Sequence, residues 1–184
     1  MKRSEIKNLT LAAMFVAIGL VLPFVTMQIP QIGAMLLPMH IPVLLCGLIC
    51  GWKYGGMVGL VLPVTRSLIF GMPPLIPVAA AMTFELATYG LVVGLVYGLS
   101  RWKCVLALYR AMLIAMIAGR VVWGIAMTSI LGVQGFGFGW QAFMAGAFIN
   151  AFPGIILQLA LIPAIMLVLN RTGLVPMHKS RTAE

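Results

Sequence analysis

Residues 75–99 read LIPVAAAMTFELATYGLVVGLVYGL, an apolar run in which Glu85 is the single charged side chain. The hydrocarbon core of a bilayer is about 30 Å thick, and about 20 apolar residues in a helix cross it. This run is long enough to do so, and its many apolar side chains could not all be covered inside a small soluble domain. It therefore predicts a transmembrane helix.

The rest of the chain repeats this pattern. Of its 184 residues, 62% are hydrophobic and only 8% are charged, whereas about 25% of residues are charged in a typical soluble domain. The sequence predicts an all-α integral membrane protein, a single transmembrane domain over residues 1–184 with six helices. The predicted spans are about 9–27, 39–52, 54–70, 75–99, 104–131 and 141–169.

The formal charge of +9 is a topology signal. Basic residues flank every second junction between spans, and the junctions at 28–38, 71–74 and 132–140 contain no Lys or Arg. This alternation follows the positive-inside rule, so both termini are predicted to be cytoplasmic. The distribution favours a lipid bilayer as partner and gives no reason to expect nucleic acid.

The sequence shows no signature of catalysis or of a metal site. Cys46 and Cys50 are four residues apart in an apolar run, but no second pair or suitable His accompanies them, so they are interpreted as buried thiols. No nucleotide-binding motif and no nucleophile–base set is visible. We therefore predict a protein that is not an enzyme and that has no catalytic residues, metal or cofactor.

Polar residues interrupt five of the six predicted spans. A charge at the centre of a membrane helix costs about 2.5–3.5 kcal/mol on insertion scales, so such residues persist where they face a cavity, pair with each other or act in function. The predicted topology places all five at one depth, in the outer half of the membrane and about 15 Å below its surface for the deeper members. These residues are His40, Arg66, Glu85, Arg120 and Asn150.

Neighbouring side chains extend this layer into a predicted substrate pocket. Tyr89 is one turn from Glu85, Trp123 is nearly one turn from Arg120, and Gln158 is predicted to share a helical face with Asn150. The segment that contains Gln28 and Gln31 is predicted to fold over the mouth as a lid. The predicted substrate-binding residues are His40, Arg66, Glu85, Tyr89, Arg120, Trp123, Asn150 and Gln158.

A purely structural role is the alternative. Glu85 and Arg120 can form an ion pair that only fixes helix packing, and His40 and Arg66 can extend toward headgroups. Asn150 and Gln158 can link helices by hydrogen bonds. On the pocket hypothesis, two arginines against one glutamate leave a net positive charge, which suits a solute that carries a carboxylate.

Several stretches of the chain resemble the substrate-binding S components of energy-coupling factor (ECF) vitamin transporters. The resemblance covers essentially the whole chain, with its size and predicted topology. The stretches are LAAMFVA at 11–17, LPMHIPV at 37–43 running to Gly47 and Gly51, FELATYG at 84–90, AGRVVWG at 118–124 and AGAFIN at 145–150.

The resemblance implies an ECF S-component-like bundle in the plasma membrane of a prokaryote. Such a subunit captures a vitamin from outside, while a membrane coupling subunit and two cytosolic ATPase subunits supply the work. The small-residue motif of the family's first helix falls on Ala13 and Ala17, which implies contact with a partner helix; ordinary packing within the bundle is the alternative. The relatives that the chain resembles include pantothenate-type S components, which favours pantothenate, and riboflavin, folate, cobalamin and pyridoxine remain alternatives.

Overall fold

The computed structural model describes residues 3–26, 35–135, 137, 139–173 and 175. These residues form helices and contain no β-strand. The helices are α1 (Arg3–Val21), α2 (His40–Cys50), α3 (Trp52–Phe70), α4 (Ala80–Leu99), α5 (Val105–Val133), α6 (Trp140–Met144) and α7 (Phe152–Arg171). A 3₁₀ segment (Leu22–Thr26) follows α1, and π-helical segments precede α4 (Leu75–Ala79) and follow α6 (Ala145–Ile149).

Four helical stretches are long and apolar enough to cross a membrane: Glu5–Phe24, Leu75–Leu99, Val105–Val133 and Phe152–Arg171. Helix α2 is apolar but has only 11 residues, or about 16 Å at 1.5 Å per residue. The all-helical membrane class is thus supported, with four candidate spans among the described residues. The count of six and the cytoplasmic termini stay predictions.

Helix α4 is the centre of the bundle and packs against α2, α3 and α5. Glycines make its contacts close. A Cβ on Gly94 would lie 2.5 Å from the backbone nitrogen of Trp52, and a Cβ on Gly47 would lie 2.5 Å from the carbonyl oxygen of Gly90. Gly55 of α3 lies between α2 and α4, and a Cβ on it would be 2.6 Å from the Cα of Gly47. Small residues allow such backbone contact in membranes, where packing replaces the hydrophobic effect as the attraction between helices.

The predicted last span, 141–169, is divided in the structure. Helix α6 passes into a π-helical segment, and a turn at Asn150 and Ala151 precedes α7. Pro153 stands in the first turn of α7, where its missing N–H costs nothing because that donor has no partner within the helix. The turn changes the helical phase, so Asn150 is exposed while Gln158 is buried. The predicted shared face of these two residues is therefore not present.

The cysteines are free thiols. Cys46 and Cys50 are buried among apolar side chains of α2, and Cys104 is exposed just before α5. Within the described ranges, no group of His, Cys, Asp and Glu residues has the arrangement of a metal site.

Candidate functional site

Three ionisable side chains from three helices meet inside the bundle. Glu85 Oε1 of α4 lies 2.9 Å from Arg120 Nη1 of α5 and 3.5 Å from His40 Nε2 of α2. The exposed fractions are 1% for His40, 1% for Glu85 and 5% for Arg120. We call this group the ionic cluster. Its members are 35 to 80 residues apart in the chain, so the packing of α2 and α5 on α4 creates it.

The local sequence determines the position of His40 at the start of α2. The chain reverses before α2, where Leu37 adopts a left-handed conformation with φ 50°. The backbone N–H of His40 donates to the carbonyl oxygen of Leu37 at 3.1 Å. Pro42 follows in the first turn of the helix, where no N–H is needed. His40 is thus placed at the start of α2, on the side of the bundle that faces Glu85.

Tyr89 forms one wall of the ionic cluster. Its ring is 2% exposed and lies one turn along α4 from Glu85. The ring centroids of Tyr89 and His40 are 5.1 Å apart, at an interplanar angle of 59°. On the facing surface of α5, Gly119 has no side chain, and a Cβ there would overlap the Tyr89 ring. The glycine therefore leaves the space that the aromatic ring occupies.

Several buried side-chain atoms have no hydrogen-bond partner among the described residues. They are Nε and Nη2 of Arg120, Nδ1 and Nε2 of His40, Oε1 of Glu85, and Nε2 of Gln158 in α7. Most buried polar groups in proteins are hydrogen-bonded, since leaving one unpaired costs about 1–3 kcal/mol. Arg120 contacts Glu85 through Nη1, and its other two nitrogens, Nε and Nη2, can donate hydrogen bonds to a ligand. The arrangement offers donors to a ligand rich in acceptors.

Arg66 lies apart from the ionic cluster. Its Nη1 donates to the carbonyl oxygen of Leu20 at 2.8 Å, and its guanidinium lies 5.4 Å from the Phe24 ring and 5.3 Å from the Phe70 ring. Pro23 has no N–H, so it cannot complete the 3₁₀ hydrogen bond to Leu20. Arg66 supplies that donor and joins α3 to the end of α1.

Trp123 and Asn150 occupy the periphery. Trp123 is half-buried, and its ring lies 6.2 Å from that of Phe143, next to Gly146. Asn150 is exposed. The predicted layer of polar residues is thus divided: His40, Glu85, Tyr89 and Arg120 come together, while Arg66 and Asn150 do not join them.

The remaining predicted residues have simple placements. Gln28 and Gln31, predicted for the lid, lie outside the described residues. Ala13 and Ala17, predicted to contact a partner helix, are both exposed on α1. Their exposure leaves a strip of small side chains on the outside of the bundle.

Sequence reasoning did not single out the glycines that shape the site. Gly119 seats Tyr89, and the glycines of α3 and α4 allow the helices to approach each other. The spacing G-x-x-x-G at Gly55/Gly59 and again at Gly90/Gly94 was the available signal, because this pattern is typical of close helix contacts in membranes. No comparable pattern marks Gly119.

One of three comparisons with known proteins identifies a family for this chain. A sequence model of the family described as "ECF transporter, substrate-specific component" matches residues 7–166. Neither the search of curated proteins nor the search of solved structures returned a match. The family match covers most of the chain, including every member of the ionic cluster, and confirms the resemblance at the level of the family. The chain therefore belongs to the family of substrate-specific components of ECF transporters.

Proposed function

We propose that this chain captures a small water-soluble vitamin that carries a carboxylate, with pantothenate as the first candidate. The ligand binds beside His40, Glu85, Tyr89 and Arg120 and passes to an ATP-driven coupling module. The observation that carries the proposal is the pair of unpartnered Arg120 nitrogens in a buried site. A carboxylate accepts two hydrogen bonds from a guanidinium in that geometry.

The other members of the ionic cluster have complementary roles in the proposal. Glu85 neutralises one side of Arg120 and can accept a hydrogen bond from a ligand hydroxyl or amide. Tyr89 offers an aromatic wall to the apolar part of the vitamin. On this proposal the chain lies in the plasma membrane with six spans and both termini in the cytoplasm, so the ligand enters from outside.

Arginine-to-lysine substitution tests the proposal without removing the ion pair. Arg120→Lys keeps a cation near Glu85 but removes the planar fork that would hold a carboxylate. We expect pantothenate binding to the purified protein, measured by isothermal titration, to weaken by about tenfold or more, the equivalent of one charge-assisted hydrogen bond of about 1.5–3 kcal/mol. Native mass spectrometry of the wild-type protein identifies the vitamin that co-purifies.

Arg110→Lys is the matched control. Arg110 Nη2 donates to Ser100 Oγ at 3.0 Å, far along α5 from the ionic cluster. This variant should bind like the wild type. Unchanged affinity in Arg120→Lys, with the wild type binding the vitamin, would remove Arg120 from the binding site.

A structural role for the ion pair is the second candidate, and one observation favours it. The direct contact of 2.9 Å between Glu85 and Arg120 is what a buried pair that fixes helix packing would show. In that case a chain in which both partners are neutral, Glu85→Gln with Arg120→Met, should keep its stability and support transport normally.

A further inference from the structure

A second concave surface lies on the outside of the bundle. It is a groove of about 510 Å³ between α1, α2 and α7, with walls that are almost wholly apolar. Lys7 is the one charged residue in its lining. The groove shares no lining residue with the ionic cluster, so the proposed vitamin site does not account for it.

The groove follows the helix axes from one end of the bundle to the other. Its lining runs from Lys7 to Leu22 along α1, from Ile41 to Ile49 along α2 and from Leu161 to Leu169 along α7. We call the end at Lys7 the first end. From Lys7 to Leu22 the path along α1 is about 22 Å at 1.5 Å per residue. That length exceeds the thickness of about 15 Å that one leaflet contributes to the hydrocarbon core. The groove is long enough for an acyl chain.

The first end of the groove is also the basic end of the bundle. The Tyr54 hydroxyl donates to the carbonyl oxygen of Glu5 at 3.5 Å, which places the start of α3, with Lys53, beside the start of α1. Arg171 is in the last turn of α7, two residues after the groove residue Leu169. Lys53 and Arg171 thus lie at the same end of the bundle as Lys7, which is the one basic residue in the groove lining.

We propose that this groove binds one acyl chain of an anionic phospholipid, with the lipid phosphate held by Lys7. An apolar groove that opens to hydrocarbon is filled by hydrocarbon, because water there would have no polar partners. The cation at one end then selects the headgroup. Basic pockets between transmembrane helices are recognised sites for anionic headgroups. The site is separate from vitamin binding and does not rest on it.

Photo-crosslinking in nanodiscs of defined composition tests this assignment. The purified chain is placed in phosphatidylcholine nanodiscs with a trace of a lipid whose acyl chain carries a diazirine, either phosphatidylglycerol or phosphatidylcholine. We expect the phosphatidylglycerol probe to label groove residues such as Leu45 and Ile165 about fivefold more than the phosphatidylcholine probe, the preference that one Lys supports near an anionic headgroup. Mass spectrometry of the digested protein maps the labelled positions.

Two variants make the outcome specific. Lys7→Gln should reduce labelling by phosphatidylglycerol to the level of phosphatidylcholine, while Arg101→Gln, which changes an exposed cation between α4 and α5 and outside the groove lining, should retain the preference. Ile18→Trp, which fills the groove from a side chain at its edge, should abolish labelling by both probes.

Three results would overturn the proposal. Equal labelling by the two probes would show that the headgroup does not contribute to binding. A preference for phosphatidylglycerol that survives Lys7→Gln would show that Lys7 does not hold the phosphate. A groove that neither probe labels, while lipid-facing residues of α5 such as Ile117 are labelled, would mean that protein covers it. Isothermal titration of the vitamin on the same samples reports separately on the proposed transport function.

Discussion

Two buried arginines of this chain, Arg120 and Arg66, differ in how fully the protein satisfies them. Arg120 is 5% exposed, contacts Glu85 and retains two nitrogens without a partner. Arg66 is 3% exposed, donates to a carbonyl oxygen and lies against the rings of Phe24 and Phe70, which also contact each other. The sequence predicts the same role for both, since each is a cation within an apolar helix. The difference indicates that unsatisfied hydrogen-bonding capacity, more than burial of charge, distinguishes a binding site from a structural contact.

The largest expected effect comes from Arg120→Met, which leaves the Glu85 carboxylate buried without its cation. Removing one partner of a buried ion pair lowers the free energy of unfolding by about 3–5 kcal/mol. Thermal unfolding of the detergent-solubilised protein measures this loss. The double variant Arg120→Met with Glu85→Gln removes both charges, so it should regain most of the stability and still fail to bind the vitamin. If the double variant binds normally, the ionic cluster is structural and the contrast with Arg66 disappears.

The next effect is expected from Gly119→Ala. The added methyl group would overlap the Tyr89 ring and push it toward His40, into the space beside the ionic cluster. Overpacking of this kind costs about 1–3 kcal/mol, so vitamin affinity measured by isothermal titration should fall by about tenfold. Gly98→Ala on α4 is the control, because no atom lies within 4 Å of the added methyl group there. Affinity equal to that of the control would show that Tyr89 is not part of the binding wall.

A smaller effect, confined to stability, is expected from Arg66→Met. The carbonyl oxygen of Leu20 loses its donor, which costs about 1–3 kcal/mol for a buried acceptor, while vitamin affinity should stay close to that of the wild type. Thermal unfolding and isothermal titration on one preparation separate the two quantities. A loss of affinity that matches that of Arg120→Lys would return Arg66 to the binding site.

The smallest effect is expected from Phe70→Leu, which keeps an apolar side chain but removes one aromatic face from Arg66. A cation–π contact contributes about 0.5–1 kcal/mol at a partly exposed site. The unfolding temperature should fall slightly, and less than in Arg66→Met. A loss larger than that of Arg66→Met would mean that Phe70 stabilises the protein chiefly through packing.

The sequence showed that Arg120 and Arg66 both lie within apolar helices, but it did not show that their surroundings differ. Intramembrane charges are visible as interruptions of apolar runs, so His40, Glu85 and Arg120 could be proposed together from depth alone. Depth along a helix does not give the direction in which a side chain points. Arg66 therefore could not be separated from the others. Pro23 marks the carbonyl oxygen of Leu20 as lacking a local donor, but the sequence does not show that Arg66 supplies it.

The phase of a helix is the second quantity that the sequence did not supply. Asn150 and Gln158 are eight residues apart and would share a face in an uninterrupted helix. The turn before α7 breaks that relation and exposes Asn150. Pro153 was a possible signal of a helix start, but a proline within a membrane helix is also compatible with continuity.

The sequence by itself determined the lipid environment and the all-helical class of this protein, and its match to a family model gave the family. Apolar runs with few charges require lipid around them, and in lipid a helix satisfies its own backbone hydrogen bonds, so both conclusions follow from composition and length. Tertiary structure alone decided which polar side chains meet, because residues as distant as His40 and Arg120 become neighbours only through the close packing of α2 and α5 on α4. That packing depends on glycines that bring backbones into contact, and its result is a three-dimensional arrangement that no linear spacing encodes.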